Sequence, residues 1–198
     1  MVKSGLINDI TVSHYRLSIH LVTAIFIISI LFWLIKNISS NRNKNFFEIS
    51  SKNIPFQILI LLIFIQIILG AFVSGLDAGK IYQTWPLMDK NYFPDDIIII
   101  NLKIFFDFDN HSLVQFYHRN AAYILILYVL FLTIFIYKNK IISLYKPLYI
   151  FLFFLISQVM LGIFTLISGL NIFLASIHQV TGVVLVFSAL NLYYLRTK

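Results

Sequence analysis

The chain has 198 residues, of which 60% are hydrophobic and only 12% are charged, and its mean hydropathy is +0.88. This composition excludes an ordinary soluble domain and is typical of a membrane protein with several spans. The net charge is +7, but the basic residues lie in short loops beside apolar runs, so they indicate membrane orientation and not nucleic-acid binding. Because the chain has no cysteine, disulfides and thiolate metal sites are excluded, and histidine is the main candidate metal ligand.

Five apolar runs are each long enough for the roughly 20 residues that a helix needs to cross the hydrocarbon core. They are Tyr15–Ile35, Pro55–Ser74, Leu113–Tyr137, Leu148–Ile167 and Ile172–Leu195. The sequence therefore predicts an all-α polytopic membrane protein with five transmembrane helices, surrounded by membrane lipid.

The loops between these runs differ in charge. Lysine and arginine predominate in the 36–54 loop, in the 138–146 turn and at the C-terminus, whereas the 76–112 loop carries six aspartates. Because cytoplasmic loops retain positive charge, the 76–112 loop is predicted to lie outside, with the N-terminus outside and the C-terminus inside. We expect the bacterial inner membrane, with the mitochondrial inner membrane as the alternative.

Three histidines, His20, His118 and His178, lie in the first turns of spans one, three and five, which all run from outside to inside. Each is followed three and four residues later by a small pair on the same helix face. The pairs are Thr23/Ala24, Ala121/Ala122 and Thr181/Gly182. A single such histidine is more often a polar residue near a helix end, but three at one depth favour a site for a flat ligand held by a metal–imidazole bond. His14 and His111 lie at loop ends and are not expected to be ligands.

Spans two and four carry a second repeat. Span two reads Gln66-Ile-Ile-Leu-Gly70, and span four reads Gln158-Val-Met-Leu-Gly162. The predicted architecture alternates a histidine helix with a Gln-x-x-Leu-Gly helix, as expected of an internal duplication. We interpret the glycines as points of close helix packing and the two glutamines as structural residues that hydrogen-bond across the helix interface.

The N-terminal residues Ser4-Gly5-Leu6 resemble Ser74-Gly75-Leu76 and Ser168-Gly169-Leu170, which end the two Gln-x-x-Leu-Gly helices. We therefore expect the chain to begin at the tail of another such helix, as a truncated or split product or one with a misassigned start. The predicted organisation has four parts. These are a helix tail and outer loop at 1–13, the last helix of an N-terminal bundle at 14–37, an inner loop at 38–54, and a four-helix bundle at 55–198 with the outer loop 76–112.

Neutral imidazole binds iron, copper and zinc through one ring nitrogen. A zinc site built from three histidines is geometrically possible but does not account for the small pairs, whereas a haem with one imidazole on each face does. His118 and His178 lie in spans whose neighbouring spans are all present, so we pair them as axial ligands and expect a partner for His20 on another helix. Arg119 could bind a haem propionate near the outer interface, or extend to the interface as a snorkelling arginine.

The outer loop contains the motif GLDAGKIYQTWPLM at residues 75–88. This motif, with LVQFYHR at 113–119 and IHQ at 177–179, resembles the haem A synthase family. The opening MVKSGL and YRLSIHL at 15–21 resemble the centre of the longer proteobacterial and mitochondrial members of that family. The resemblance covers essentially the whole chain, but only the C-terminal part of an eight-span pattern.

The resemblance implies two four-helix bundles related by duplication, in an enzyme that oxidises the C8 methyl group of haem O to a formyl group. The product, haem A, serves cytochrome c oxidase. By this resemblance His118 and His178 are axial ligands of a b-type haem (iron) in the C-terminal bundle, and His20 is a catalytic residue of the half that holds haem O. The partner histidine that the family pairs with His20, and the glutamate one turn before it, match no residue of this chain.

The resemblance further implies haem O synthase as the upstream partner, and either a separate N-terminal half or a homo-oligomer as the remainder of the enzyme. The alternative function is a bis-histidine, b-type electron-transfer cytochrome of the membrane. A transporter fragment is disfavoured, because the three histidines lie near one face of the membrane and no span is broken.

Overall fold

The computed structural model describes residues 13–98 and 101–197, and the expected helix tail in residues 1–12 lies outside them. Five α-helices in the described ranges are long and apolar enough to cross a membrane. They are α1 (His14–Ser40), α2 (Ile54–Gly75), α3 (His111–Lys138), α4 (Tyr145–Ile167) and α5 (Ile172–Arg196). The prediction of an all-α protein with five transmembrane helices is confirmed, and the helices extend beyond the predicted spans by at most five residues at any end.

The helix ends follow from local chemistry. Pro55 occupies the first turn of α2, where a missing N–H leaves no helical hydrogen bond unmade. Asn110 and Asn171 precede α3 and α5, and their side chains accept hydrogen bonds from backbone N–H groups of the first helical turn. α1 continues through polar residues to Ser40 and ends at Asn41, which adopts the left-handed conformation with φ of 48°.

The helices pack as two close pairs with one additional helix. α2 packs on α3 and α4 packs on α5, while α1 lies mainly against α2 and also contacts α5. By contrast, α3 and α5 make little direct contact with each other. The described residues include the whole of both helices. The two pairs are the two copies of the predicted repeat, and α3 and α5 are the histidine helices of those copies.

The buried apolar core occupies one half of the bundle. It is built from the second halves of α1, α3 and α5 and the first halves of α2 and α4, which alternate in direction and so meet at the same end. Its largest members include Trp33, Phe56, Leu132, Ile136, Phe151, Leu190 and Tyr193. In the opposite half, residues 116–123 of α3 and 172–184 of α5 are all half-buried or exposed. The residues around His118 and His178 are therefore less buried than the core in the other half, although Leu113 and Val114 at the start of α3 are fully buried.

Lys44 fixes the α1–α2 loop to the end of α5. Its ammonium group donates hydrogen bonds to the carbonyl oxygens of Tyr194, at 2.9 Å, and Thr197, and it lies 4.7 Å from the centre of the Tyr194 ring. Trp33 and Asn37 donate to the backbone carbonyl of Lys44 at 2.8 and 3.0 Å. A cation is favoured at a helix C-terminus, so this contact stabilises the well-packed end of the bundle.

Candidate functional site

The three predicted histidines lie at equal distances along their helices. His20, His118 and His178 follow the first residues of α1, α3 and α5 by six or seven positions. At 1.5 Å per residue, this places each Cα about 9–10 Å from the start of its helix. The histidines thus lie about two turns into their helices, deeper than the first turn predicted from the sequence.

His118 packs against α2 through two residues of that helix. The amide nitrogen Nε2 of Gln66 lies 3.1 Å from Nδ1 of the imidazole and 3.4 Å from its Nε2, and it donates to the backbone carbonyl of His118 at 3.1 Å. One turn further along α2, a Cβ atom on Gly70 would lie 3.2 Å from Cε1 of the His118 ring. Glycine at this position leaves room for the edge of the imidazole.

His178 packs against α4 in the same way. Its Nδ1 donates to the backbone carbonyl of Gln158 at 3.1 Å, and the amide nitrogen of Gln158 donates to the backbone carbonyl of His178 at 2.9 Å. The same amide nitrogen lies 3.4 Å from Nε2 of the ring. A Cβ atom on Gly162 would lie 3.0 Å from Cε1 of the ring. The two arrangements are copies of one histidine–glutamine–glycine unit.

The glutamines hydrogen-bond across the helix interface, as predicted, but their partners are the candidate ligands. Gln66 and Gln158 therefore belong to the site, and the interpretation of these glutamines as structural residues alone was incomplete. The available signal was that glutamine and glycine, four residues apart, share one face of each helix that precedes a histidine helix.

The small pair on α5 has a different role from the predicted one. The Thr181 hydroxyl donates to Oε1 of Gln158 at 2.6 Å, and a Cβ atom on Gly182 would lie 3.3 Å from Nε2 of Gln158. These two residues therefore receive the glutamine of the neighbouring helix, and do not form an open face for a flat ligand.

The three predicted histidines differ in burial. His118 and His178 are half-buried, on two helices that make little contact with each other within the described residues, whereas His20, with Thr23 and Ala24, is exposed on α1. In the part of the chain that the structure describes, no group of three histidine or acidic side chains could hold a metal ion, so the three histidines do not form one zinc site.

Arg119 joins α3 to the outer loop. Its guanidinium group donates to the backbone carbonyls of Tyr82 at 3.1 Å and Leu87 at 3.2 Å. Gln115, one turn earlier on α3, donates to the same Tyr82 carbonyl at 2.7 Å. The Nε atom of Arg119 is buried and has no hydrogen-bond partner among the described residues. The arginine thus holds the loop beside the candidate ligand His118.

A second set of hydrogen bonds fixes the loop through Asp96. The hydroxyl groups of Tyr82 and Ser112 each donate to its carboxylate at 2.7 Å. Burial alone would raise the pKa of Asp96, but these hydrogen bonds outweigh that effect and lower its pKa. Tyr82 is 5% exposed, and its burial, followed by its hydrogen bond to Asp96, raises its pKa. Trp85 of the same loop is 46% exposed.

The two remaining histidines, His14 and His111, are the first residues of α1 and α3. His14 is buried where α1 meets α2, and a Cβ atom on Gly75 would lie 2.7 Å from the His14 Cβ. The Nε2 atom of His14 lies 3.3 Å from the carboxylate of Asp109. His111 is exposed at the first residue of α3. His14 therefore packs helices together.

The fold and the site define a class: a polytopic helical membrane protein in which a duplicated unit presents two imidazoles from separate helices. Each imidazole has Nδ1 held at 3.1 Å by the neighbouring helix and Nε2 less closely engaged. Such a pair is a suitable donor set for a metal centre that takes one ligand on each face.

Comparison with known proteins identifies the family. The profile of the COX15-CtaA family, described as cytochrome oxidase assembly protein, matches residues 1–190. The chain belongs to this family, and the resemblance seen in the sequence is confirmed.

Three similar curated proteins illustrate the match, and each is named "Heme A synthase". The chain is 43% identical to the protein of Pelagibacter ubique (strain HTCC1062) over 192 residues, which are 96% of this chain and 54% of the relative. It is 40% identical to that of Wolbachia pipientis wMel, covering 99% of this chain and 55% of the relative. It is also 40% identical to that of Rickettsia rickettsii (strain Sheila Smith), and the match covers 98% of this chain and 58% of the relative. The chain spans about half the length of these relatives.

Proposed function

We propose that this chain supplies the C-terminal half of a haem A synthase and binds a b-type haem between His118 and His178. The observation that carries the proposal is the duplicated histidine–glutamine–glycine unit, which presents two imidazoles at equal depth on α3 and α5. The name "Heme A synthase" of the similar proteins supports the reaction, an oxidation of the C8 methyl group of haem O to a formyl group.

Three observations fit a haem at this position. The glycines at 70 and 162 receive the edges of the imidazoles, which fixes the orientation of both rings. The residues of α3 and α5 around the two histidines are only half-buried or exposed, and within the described residues these two helices make little contact with each other. The unpaired Nε of Arg119 supplies a donor for a propionate beside His118.

The protein residues have distinct roles in this mechanism. A bound haem would supply one-electron redox chemistry, and the imidazoles of His118 and His178, with their hydrogen bonds, would hold it and tune its potential. Gln66 and Gln158 hold the two histidine helices at a fixed distance from their neighbours. Arg119 and Tyr82 hold the outer loop over the end of α3, which limits the access of water to the site. His20 would serve the half that holds the substrate haem O.

The proposed setting follows from the charges of the loops. We place the acidic 76–112 loop on the outer side of the bacterial inner membrane and the basic 36–54 loop in the cytoplasm. Haem O synthase is the proposed source of substrate, since haem O is the molecule oxidised.

Absorption spectroscopy of the purified chain tests the ligand assignment. We expect a low-spin, bis-histidine haem spectrum that is lost in His118→Ala and in His178→Ala, because each change removes one axial ligand. His111→Ala, at an exposed position, is the matched control and should keep the spectrum. Retention of the spectrum in both ligand variants would overturn the assignment. His20→Ala should also keep it, and loss of haem in that variant would show that the pairing is wrong.

A further inference from the structure

The two histidine–glutamine units differ at one polar atom. In the α4/α5 unit, the Thr181 hydroxyl lies 2.6 Å from Oε1 of Gln158, closer than the backbone carbonyls of Ile177 at 2.8 Å and His178 at 3.1 Å, so its proton is shared first with the glutamine. In the α2/α3 unit, Oε1 of Gln66 is buried and has no hydrogen-bond partner among the described residues. The position three residues after His118 is Ala121, where α5 has Thr181, and alanine has no hydroxyl to donate.

The amide groups of the two glutamines are therefore held unequally. Gln158 is fixed at both ends, since its nitrogen donates to the His178 carbonyl at 2.9 Å and its oxygen accepts from Thr181. Gln66 is fixed at one end, where its nitrogen donates to the His118 carbonyl at 3.1 Å. A buried carbonyl oxygen without a donor is unfavourable, so Gln66 gains from any rearrangement that provides one.

We propose that His178 is the fixed axial ligand of this site and His118 the exchangeable one. The proposal rests on the proposed function, because it assumes that both histidines bind the same haem iron. Thr181 is then a positioning residue that acts on His178 through Gln158. The glutamine that holds the His118 helix lacks the second anchor, so His118 is the less firmly held of the two imidazoles and would dissociate from a bound haem more readily.

The rate of carbon monoxide binding to the reduced, purified holoprotein tests this assignment. Carbon monoxide can bind only where an imidazole has left the iron, so its rate at saturating gas measures the faster of the two histidine dissociations. Ala121→Thr provides the missing hydroxyl to Gln66 and should slow binding roughly three- to tenfold, the rate equivalent of about one net hydrogen bond. Thr181→Val removes the hydroxyl from the other unit at equal volume and should change the rate less than twofold, because His178 is not the ligand that leaves first.

Two conservative variants keep the test informative. Ala121→Ser adds a hydroxyl with less bulk, in case threonine disturbs packing on α3, and it should also slow binding. Thr181→Ser keeps the hydroxyl and should match the unchanged protein. An unchanged rate in both Ala121 variants overturns the proposal. A three- to tenfold acceleration in Thr181→Val also overturns it, since it would identify His178 as the exchangeable ligand.

Failure of this proposal can be distinguished from failure of the proposed function. If His118→Ala and His178→Ala keep the bis-histidine spectrum, the ligand assignment is wrong and the proposed function fails. If both lose the spectrum while the Ala121 variants leave the carbon monoxide rate unchanged, only the inequality of the two ligands is refuted.

Discussion

Gly162→Ala tests whether the close contact between α4 and the His178 ring serves haem binding. The added Cβ would lie 3.0 Å from Cε1 of the ring, whereas carbon atoms are in favourable contact at about 3.5–4.0 Å. The ring must therefore move by about 0.5 Å or more. Overpacking of this kind costs about 1–3 kcal/mol. At 1.4 kcal/mol per factor of ten, the expected result is a roughly 5- to 150-fold weaker retention of haem.

The haem-free protein should respond differently, because an imidazole without iron can rotate away from the new methyl group. Alanine is preferred to glycine inside a helix by about 0.8–1.0 kcal/mol, so thermal unfolding of the haem-free variant should occur at an equal or higher temperature. The assay is the rate of haem transfer to excess apomyoglobin, measured together with thermal unfolding. Met160→Ala, at a 44% exposed position on the same helix, is the control. Unchanged haem transfer in Gly162→Ala would refute the reasoning.

Two further predictions concern the loops. The pKa of Asp96 is lowered in the folded state, so its stabilisation of the outer loop is present above the unfolded value of about 3.9 and is lost as the pH falls through the folded value. The fluorescence of Trp85 should therefore change on acidification, and a response that persists unaltered in Asp96→Asn would contradict this origin. For membrane orientation, the chain has no cysteine, so single cysteines can be labelled with an impermeant maleimide. Lys90→Cys should react in intact cells and Arg42→Cys only after permeabilisation, and the reverse pattern would contradict the proposed sidedness.

The sequence predicted the helices well, because an apolar run of about 20 residues leaves the backbone no other favourable structure in lipid. It missed the polar end of α1 at Ser40, because residues after the apolar run carry no signal of where helical hydrogen bonding stops. It also identified the repeated glutamine and glycine without their partners. Periodicity shows which residues share a helix face, but it does not show which neighbour that face meets.

The binding partners of Arg119 could not be predicted for a related reason. Its guanidinium group binds the backbone carbonyls of Tyr82 and Leu87, and every residue has such a carbonyl. A backbone acceptor leaves no trace in the sequence, whereas a carboxylate partner would have been visible as an opposite charge. The pairing of His118 with His178 stays a prediction, argued from the repeated histidine–glutamine–glycine unit.

The duplicated unit also gives an argument about His20. In both complete copies, the histidine is received by a glutamine and a glycine on the helix that directly precedes it in the chain, α2 before α3 and α4 before α5. By this rule we expect the glutamine and glycine for His20 on a helix that precedes α1. The face of α1 that would meet this helix carries His20, Thr23 and Ala24, all of which are exposed, and the curated relatives are about twice as long as this chain. If the span before the corresponding histidine of those relatives carries a Gln-x-x-x-Gly pattern, the histidine–glutamine–glycine unit extends to the half proposed to hold the substrate. If the pattern is absent there, the unit is confined to the proposed b-type haem site.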